Sequence, residues 1–409
     1  MLTFTRNIRL RVYSVALSSL VLSPLNLYAS ENPPEFDQCL VNLKQKAITA
    51  GVNTETIDKS FQNIAYSEKV IELDRKQPEF TSSFSRYLNL RVNDRRVKTG
   101  REMLAQHRPL LQEVTRKTGV PAQYIVAFWG LETNYGGYLG NMSTLDSLAT
   151  LACDRRRSAF FTGEFIAALR LIEKGDASAE SMRGSWAGAV GNFQFMPSNY
   201  LTHAHDHDGD GKRDLWNSLE DAAMSAGLFL KSMGWETGTR WGREVKLPAG
   251  FDYAAAGLDQ PRELETWRKM GLRTADGNLL PKAQLKASLL VPAGHKGPKF
   301  LVYSNFRVIM GWNRSEYYAI SVGHLADRIN GAGTLRTPPP QDIEKYPLNA
   351  IRYLQEALNE KGFNTGKPDG IMGPSTRKAI RAYQARHNMI ADGYPDKSLL
   401  QALGISLTN

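Results

Sequence analysis

The feature that most constrains this chain is "YIVAFWGLE", Tyr124–Glu132, which is apolar almost without interruption as far as Leu131. Placed on a helix after Pro121, such a run shows apolar side chains on every face, and a helix of that kind has to be enclosed. The rest of the chain must therefore build a shell around it. With 409 residues, two or three domains and a real core are available for that. At the end of the run stands one carboxylate, Glu132. On a helix it lies above Phe128 and Trp129, three and four residues back. A carboxyl group facing aromatic surface loses hydration, so its charged form is disfavoured and its pKa is expected to rise. A proton kept near neutral pH is what a general acid needs. The following "TNYGGYLG" can open the helix end into a cleft. The plain alternative is a helix-end Glu pointing at water.

Around this run the chain reads as mainly helical. Residues 36–118 carry apolar positions at helical spacing, with Gly51 as a stop. Residues 158–174 form a further helix, with Ser158 as a candidate cap and Gly175 at the end; residues 219–233 and 316–329 are helical too. From about 245 to 310, short apolar runs such as "ASLLVPAG" and "KFLVYSNF" lie between Gly and Pro, which predicts strands in a small subdomain. "TPPPQDIEKYP", residues 337–347, reads as a proline-rich extended spacer. Beyond it, residues 348–409 can form a compact module. There "DGIMGPSTRKAI" and "DGYPDKSLLQAL" repeat an Asp-Gly turn followed by a helix, with Pro374 and Pro395 suited to the first helical turn.

The N-terminus combines Arg6, Arg9 and Arg11 with an apolar run from Val12 to Leu22 and the small-residue site "LYAS". This is the pattern of a secretory signal peptide, residues 1–29, cleaved after Ala29. An uncleaved anchor is the alternative, although the run is short for a span. No other stretch is long and apolar enough to cross a bilayer, so the mature form is expected to be exported to the periplasm with no membrane span. The net charge of +10 suits an anionic partner. No basic block with interleaved aromatics points to nucleic acid. In an oxidising compartment the two cysteines, Cys39 and Cys153, can form one disulfide. Two unrelated buried thiols remain the other reading.

Three further motifs could carry chemistry. In "GSWAGAVGNFQFMPSNY", Gly184–Tyr200, glycines allow close approach to backbone, and Ser185, Asn192 and Gln194 can bond hydroxyl or acetamido groups of a sugar. A tightly packed turn is the competing reading. In "DHDGDGKRDLWN", Asp206, Asp208 and Asp210 stand at positions one, three and five of a calcium loop, Gly211 at six, and Lys212 at the backbone-carbonyl position seven. Asn217 occupies position twelve, so the closing acid must be Glu220 or Asp221. The interleaved His203, His205 and His207 lack partners for zinc, and calcium accounts better for the acids. In "GWNRSEYYA", Trp312, Asn313, Tyr317 and Tyr318 offer stacking surface and an amide to a carbohydrate, or the tyrosines belong to the core of the next helix.

Together "WGLETNYG", "GSWAGAVGNFQFMPSNY", "DHDGDG" with the later "LW", and "GWNRSEYYA" resemble, in that order, the lytic murein transglycosylases of the membrane-bound B type. Residues from about 345 to 405 resemble a small helical peptidoglycan-binding domain. The resemblance implies a mainly α, α+β fold: a lysozyme-like helical catalytic domain with a small β-containing subdomain over residues 30–336, then a three-helix wall-binding module. It implies cleavage of the MurNAc–GlcNAc β-1,4 bond with closure of the MurNAc C6 hydroxyl onto C1. Glu132 would be the single acid and base. Ser185, Gln194, Asn313, Tyr318 and Tyr87 would contact substrate. Asp206, Asp208, Asp210, Lys212 and Asp221 would hold a structural Ca2+, and no organic cofactor is implied. A lipoprotein cysteine after the signal is missing, which favours a soluble form. A muramidase, or a non-catalytic wall-binding protein, are the alternatives, and a partner in a wall-synthesis or division complex is left open.

Overall fold

The computed structural model describes residues 32–75, 82–341, 346 and 349–406. The segment read as a signal peptide, and its cleavage site, lie outside them.

The helix Ala122–Thr133 is the axis of the larger unit, and every residue from Tyr124 to Leu131 is buried. The helices Asp94–Gln106, Arg108–Thr118 and Glu316–Ile329 pack directly on it. Its end is abrupt because Asn134, Tyr135 and Gly136 all take positive φ, at 53°, 62° and 76°. This reversal turns the Tyr135 ring back over Gly130, where an added Cβ would meet the ring at 2.6 Å. The Tyr135 hydroxyl then donates to Arg96 O at 2.7 Å, which ties the turn to the neighbouring helix. Glycine at 130 is thus required by close packing rather than by its own backbone angle.

A second layer forms on the N-terminal side. The helix Pro34–Thr49 is joined to the helix Thr144–Cys153 by the Cys39–Cys153 disulfide. Gly51 and Gly175 end their helices in left-handed conformation, at φ 82° and 78°, as the sequence suggests. Ser158 does not cap its helix: Arg157 occupies the cap position, and the Ser158 hydroxyl donates instead to Ala152 O at 2.6 Å.

The strands divide between a short pair and a sheet. β1 (Met142–Ser143) pairs with β2 (Arg183–Gly184). β3 (Gly242–Lys246), β4 (Arg262–Glu263), β5 (Arg273–Thr274), β6 (Lys286–Leu290) and β7 (Lys299–Val302) form an antiparallel sheet in the order β4-β6-β7-β3-β5. Val245, Leu289 and Leu301 gather on one side with Trp267 as a second core. The run "KFLVYSNF" is not one strand. It breaks after Val302, and Asn305 and Phe306 belong to the helix Ser304–Trp312.

The C-terminal module holds the helices Ala350–Glu360, Pro374–Arg386 and Lys397–Ala402 around Leu354, Ile380 and Leu399. Its repeat is physical as well as textual. Gln355 accepts from Gly370 N at 2.8 Å and donates to Asp369 at 3.0 Å. Gln384 treats Gly393 N and Asp392 in the same way, at 2.8 and 3.0 Å. The two prolines differ, however. Pro374 lies in the first turn, whereas Pro395 precedes the cap Asp396, whose carboxylate accepts from Leu399 N. At the start of the segment read as a spacer, Thr337 N and the preceding Arg336 N are bonded to Glu244, and near its end Tyr346 is buried in the module core.

His324 lies buried within Glu316–Ile329, where burial and then Arg328 push its pKa down to about 4. The unfolded chain takes up this proton near pH 6.5 and the folded one does not. Stability is therefore complete above pH 6.5 and falls as pH drops towards 4, by about 3 kcal/mol from this group. A His324→Gln variant should flatten the acid branch of the unfolding free energy measured by urea titration across that window. An unchanged slope would count against a neutral buried ring.

Candidate functional site

Glu132 sits one residue before the end of the buried helix and is half-buried. Its carboxylate is met from the opposite element: the Tyr318 hydroxyl donates to Glu132 Oε1. Tyr318 lies in the first turn of Glu316–Ile329, a turn capped by the Ser315 hydroxyl, which accepts from Tyr318 N at 3.3 Å. Burial first, then the adjacent Glu132 carboxylate, push the Tyr318 pKa well above the ordinary tyrosine value. The phenol therefore stays protonated and acts as a fixed donor. Tyr87 is close enough to contribute in the same direction, and Arg91, whose guanidinium lies 5.4 Å from the centre of the Tyr87 ring, opposes it.

The structure separates the aromatic residues of "GWNRSEYYA". Tyr318 reaches Glu132. Tyr317 points the other way into core, with its ring 5.2 Å from Phe84 and 6.0 Å from Tyr87. Trp312, read as a stacking surface, packs instead among Phe128, Phe229 and Phe195, at 4.7, 5.1 and 5.3 Å between centroids. It props the buried helix Ala122–Thr133 from behind. Asn313 ends the helix before it, and its Oδ1 accepts from Ser315 N at 3.1 Å.

The glycine-rich loop is fastened to the same helix end. Gly140 crosses Gly184 so closely that a Cβ would lie 2.1 Å from Gly184 O and 2.7 Å from Ser185 N. Ser185 accepts from Ala189 N at 3.1 Å. Gln194 adopts a left-handed backbone, φ 51°, and donates to Leu139 O at 2.9 Å and Gly191 O at 3.1 Å. Its NH2 group is thereby used, which leaves the carbonyl as the group it can offer to a ligand. Asn192 is engaged within the fold. It is buried and accepts from Trp129 Nε1 at 3.0 Å, donates to Trp216 O at 2.8 Å, and passes its own carbonyl to the Thr133 hydroxyl at 2.8 Å. Nothing in its local sequence distinguishes this role from that of Gln194.

In the acidic loop, ligand oxygens of Asp206, Asp208 and Asp210 lie within 4.8 Å of one another. Asp206 accepts from Gly209 N and Gly211 N at 2.7 and 2.9 Å, and Asp210 accepts from Lys212 N at 2.8 Å. Three carboxylates held this close repel one another unless a cation neutralises them, and hard oxygen donors in this spacing suit Ca2+. Among the described residues they are the one such acidic group. Asp221 is not with them. It is fully buried beneath the loop and accepts from His207 N at 2.7 Å and Asp214 N at 2.9 Å, so it pins both arms. Of the histidines, His203 stacks on Phe229 at 4.6 Å and His207 lies 3.5 Å from Glu113. The loop connects to the helix Ala122–Thr133 through Leu215 and Trp216, whose carbonyls take the Asn192 N–H groups.

Comparison with known proteins follows this geometry. The family described as Transglycosylase SLT domain matches residues 35–327, and a putative peptidoglycan binding domain matches residues 348–403. The chain is 30% identical over 257 residues to the membrane-bound lytic murein transglycosylase B of Escherichia coli, covering 60% of this chain and 66% of that protein. Among solved structures, SltB3 from Pseudomonas aeruginosa, in complex with NAG-anhNAM-pentapeptide, is 43% identical with a TM-score of 0.86, covering 91% of this chain and all of that one. The lytic transglycosylase Slt35 of Escherichia coli, in complex with calcium, is 27% identical with a TM-score of 0.62, covering 73% of this chain and 93% of that one.

The position of Asp221 yields a direct expectation. Asp221→Ala strands buried N–H donors and should cost about 3 kcal/mol in denaturant unfolding, while Asp221→Asn, which keeps one acceptor, should cost less. Equal stability of both variants with the parent protein would show that the loop is held by other groups.

Proposed function

This chain belongs to the transglycosylase SLT family, and from that premise we propose that it is a lytic transglycosylase of peptidoglycan. The reaction is cleavage of the MurNAc–GlcNAc β-1,4 bond with formation of a 1,6-anhydroMurNAc end. The observation that carries the reading is the pairing of Glu132, at the open end of a buried helix, with the phenol of Tyr318. Protonated Glu132 gives its proton to the glycosidic oxygen as the C1–O4 bond breaks and GlcNAc leaves. The substrate's own acetamido oxygen shares the positive charge at C1, so no carboxylate nucleophile is called for, unlike the two-carboxylate scheme. Glu132, now ionised, then takes the proton of the MurNAc C6 hydroxyl as that oxygen bonds to C1. The residue ends protonated, and no water is consumed.

In this scheme Tyr318 fixes the rotation of the carboxylate and stabilises its ionised interval. The Gln194 carbonyl, Ser185, Asn313 and Tyr87 would contact sugar hydroxyl and acetamido groups. The C-terminal module binds the wall polymer. Action outside the cytoplasmic membrane, in the periplasm, fits the Cys39–Cys153 disulfide, which needs an oxidising compartment. Asp206, Asp208 and Asp210, with the carbonyl of Lys212, would hold a calcium ion whose part is to stiffen the loop behind Asn192.

Two measurements test this. Glu132→Gln should lower turnover of purified sacculi by at least about a thousandfold, the scale of losing acid and base assistance together, with unfolding unchanged. Products of the parent protein should be one water lighter than reducing-end muropeptides by mass spectrometry; reducing ends would indicate a muramidase, and no release at all a binding protein. For the ion, calcium at about a hundred times its dissociation constant should add about 2.7 kcal/mol of stability and raise the melting temperature over a chelated sample. Asp208→Ala should abolish that shift, and an absent shift in the parent protein would remove calcium from the scheme.

A further inference from the structure

The helix that carries Tyr318 begins at the boundary with the C-terminal module. Its first three residues are Glu316, Tyr317 and Tyr318. Arg377, on the module helix Pro374–Arg386, reaches across to them. Its guanidinium lies 3.8 Å from Glu316 Oε2, and its charge acts on the neighbouring Tyr317 phenol, opposing the rise in pKa that burial causes there. The Arg377 side chain is only 14% exposed, so this is an enclosed contact rather than a solvated surface pair. A second contact accompanies it: Asp392 of the module accepts from His295 N, and its Oδ2 lies 2.7 Å from the His295 ring Nδ1. Between the two contacts lies a cavity of about 410 Å³, lined from one side by Leu289, Leu290 and Val291 and from the other by Pro374 and Arg381.

What Arg377 holds is the turn on which the site depends. Three groups of the catalytic unit set the rotation of that turn: the Ser315 cap, Asn313 behind it, and the Tyr317 ring against Phe84. Arg377 supplies a fourth constraint, from a module otherwise assigned only to wall binding. It pairs with Glu316 and faces Tyr317, the two residues immediately before Tyr318. On a helix each residue is turned by about 100° from the last, so a small rotation of the first turn swings the phenol away from the carboxylate. Misplacement of a catalytic group by about 1 Å can cost on the order of a hundredfold in rate.

We propose that Arg377 is a positioning residue, and that the C-terminal module, by clamping Glu316 and Tyr317, holds Tyr318 in register with Glu132. The module is then part of the catalytic apparatus as well as an anchor. This rests on the reading of Glu132 as the acid and base.

The test uses the full-length protein and two substrates: purified sacculi, and a soluble GlcNAc–MurNAc tetrasaccharide carrying peptide stems. Arg377→Ala should lower kcat on the soluble fragment roughly tenfold or more with KM nearly unchanged, and Arg377→Lys, which restores the charge, should recover part of that loss. Binding of Arg377→Ala to sacculi, measured by pelleting, should persist. If kcat on the soluble fragment is unchanged, or the loss appears only in KM or pelleting on sacculi, the module is an anchor alone and the proposal fails. Should Arg377→Ala fail to fold, Glu316→Gln breaks the same contact from the other side and is read by the same criteria. Glu132→Gln is run beside them. Full activity in that variant would overturn the underlying assignment of Glu132, a result separate from any effect at Arg377.

Discussion

The enclosure of the helix Ala122–Thr133 is the constraint from which the rest of the structure follows. A helix buried on every face leaves no solvated side on which to place polar groups. Chemistry can then be presented only at its ends, and at the C-terminal end the backbone reverses through three successive left-handed residues, Asn134, Tyr135 and Gly136. Glu132 stands at that exit. Its surroundings are fixed by elements that had to close around the helix in any case: Trp312 and Phe128 behind, Trp129 tied to Asn192, and Tyr318 arriving from the last helix of the catalytic unit. Burial that stabilises the fold is also what removes bulk water from around the carboxylate.

Beyond the Tyr318–Glu132 bond, the polar elements around the helix are linked to one another by relay. Asn192 is the junction. It receives the indole N–H of Trp129 and the hydroxyl of Thr133, and it passes its amide to the carbonyls that follow the acidic loop. Asp221 serves that loop from below in the same manner, as an acceptor for backbone donors. Buried polar groups of this kind are worth most when each member is satisfied. The acidic loop and the helix Ala122–Thr133 are consequently parts of one hydrogen-bonded body.

Features that depend on local pattern were readable from the sequence. The apolar run before Glu132, the glycine stops at 51 and 175, the calcium-loop spacing and the Asp-Gly repeat all declare themselves within a few residues. Features that depend on rotation about a helix axis did not. Tyr317 and Tyr318 are adjacent and chemically identical, yet one belongs to core and the other to the site, because neighbouring positions point about 100° apart. Trp312 looks like a sugar platform until Phe128, Phe195 and Phe229 are brought to it from three distant segments. Asn192 and Asp221 carry side chains whose chemistry suits a ligand as well as it suits the backbone. Their donors and acceptors come from residues brought in by the fold, and only the assembled structure shows that they are already engaged.

The Cys39–Cys153 bond has a topological consequence. It closes a covalent ring that contains Glu132 and the whole of its helix, while Tyr318, Ser185 and Gln194 lie on chain outside the ring. A protease that cuts a surface turn between the two cysteines leaves the pieces joined, so the carboxylate cannot depart with a fragment. A cut further along the chain has no such safeguard. The Glu132 carboxylate and the Tyr318 phenol bonded to it are thus protected to different degrees, and a single cut would part the phenol from the carboxylate before it removed the carboxylate itself.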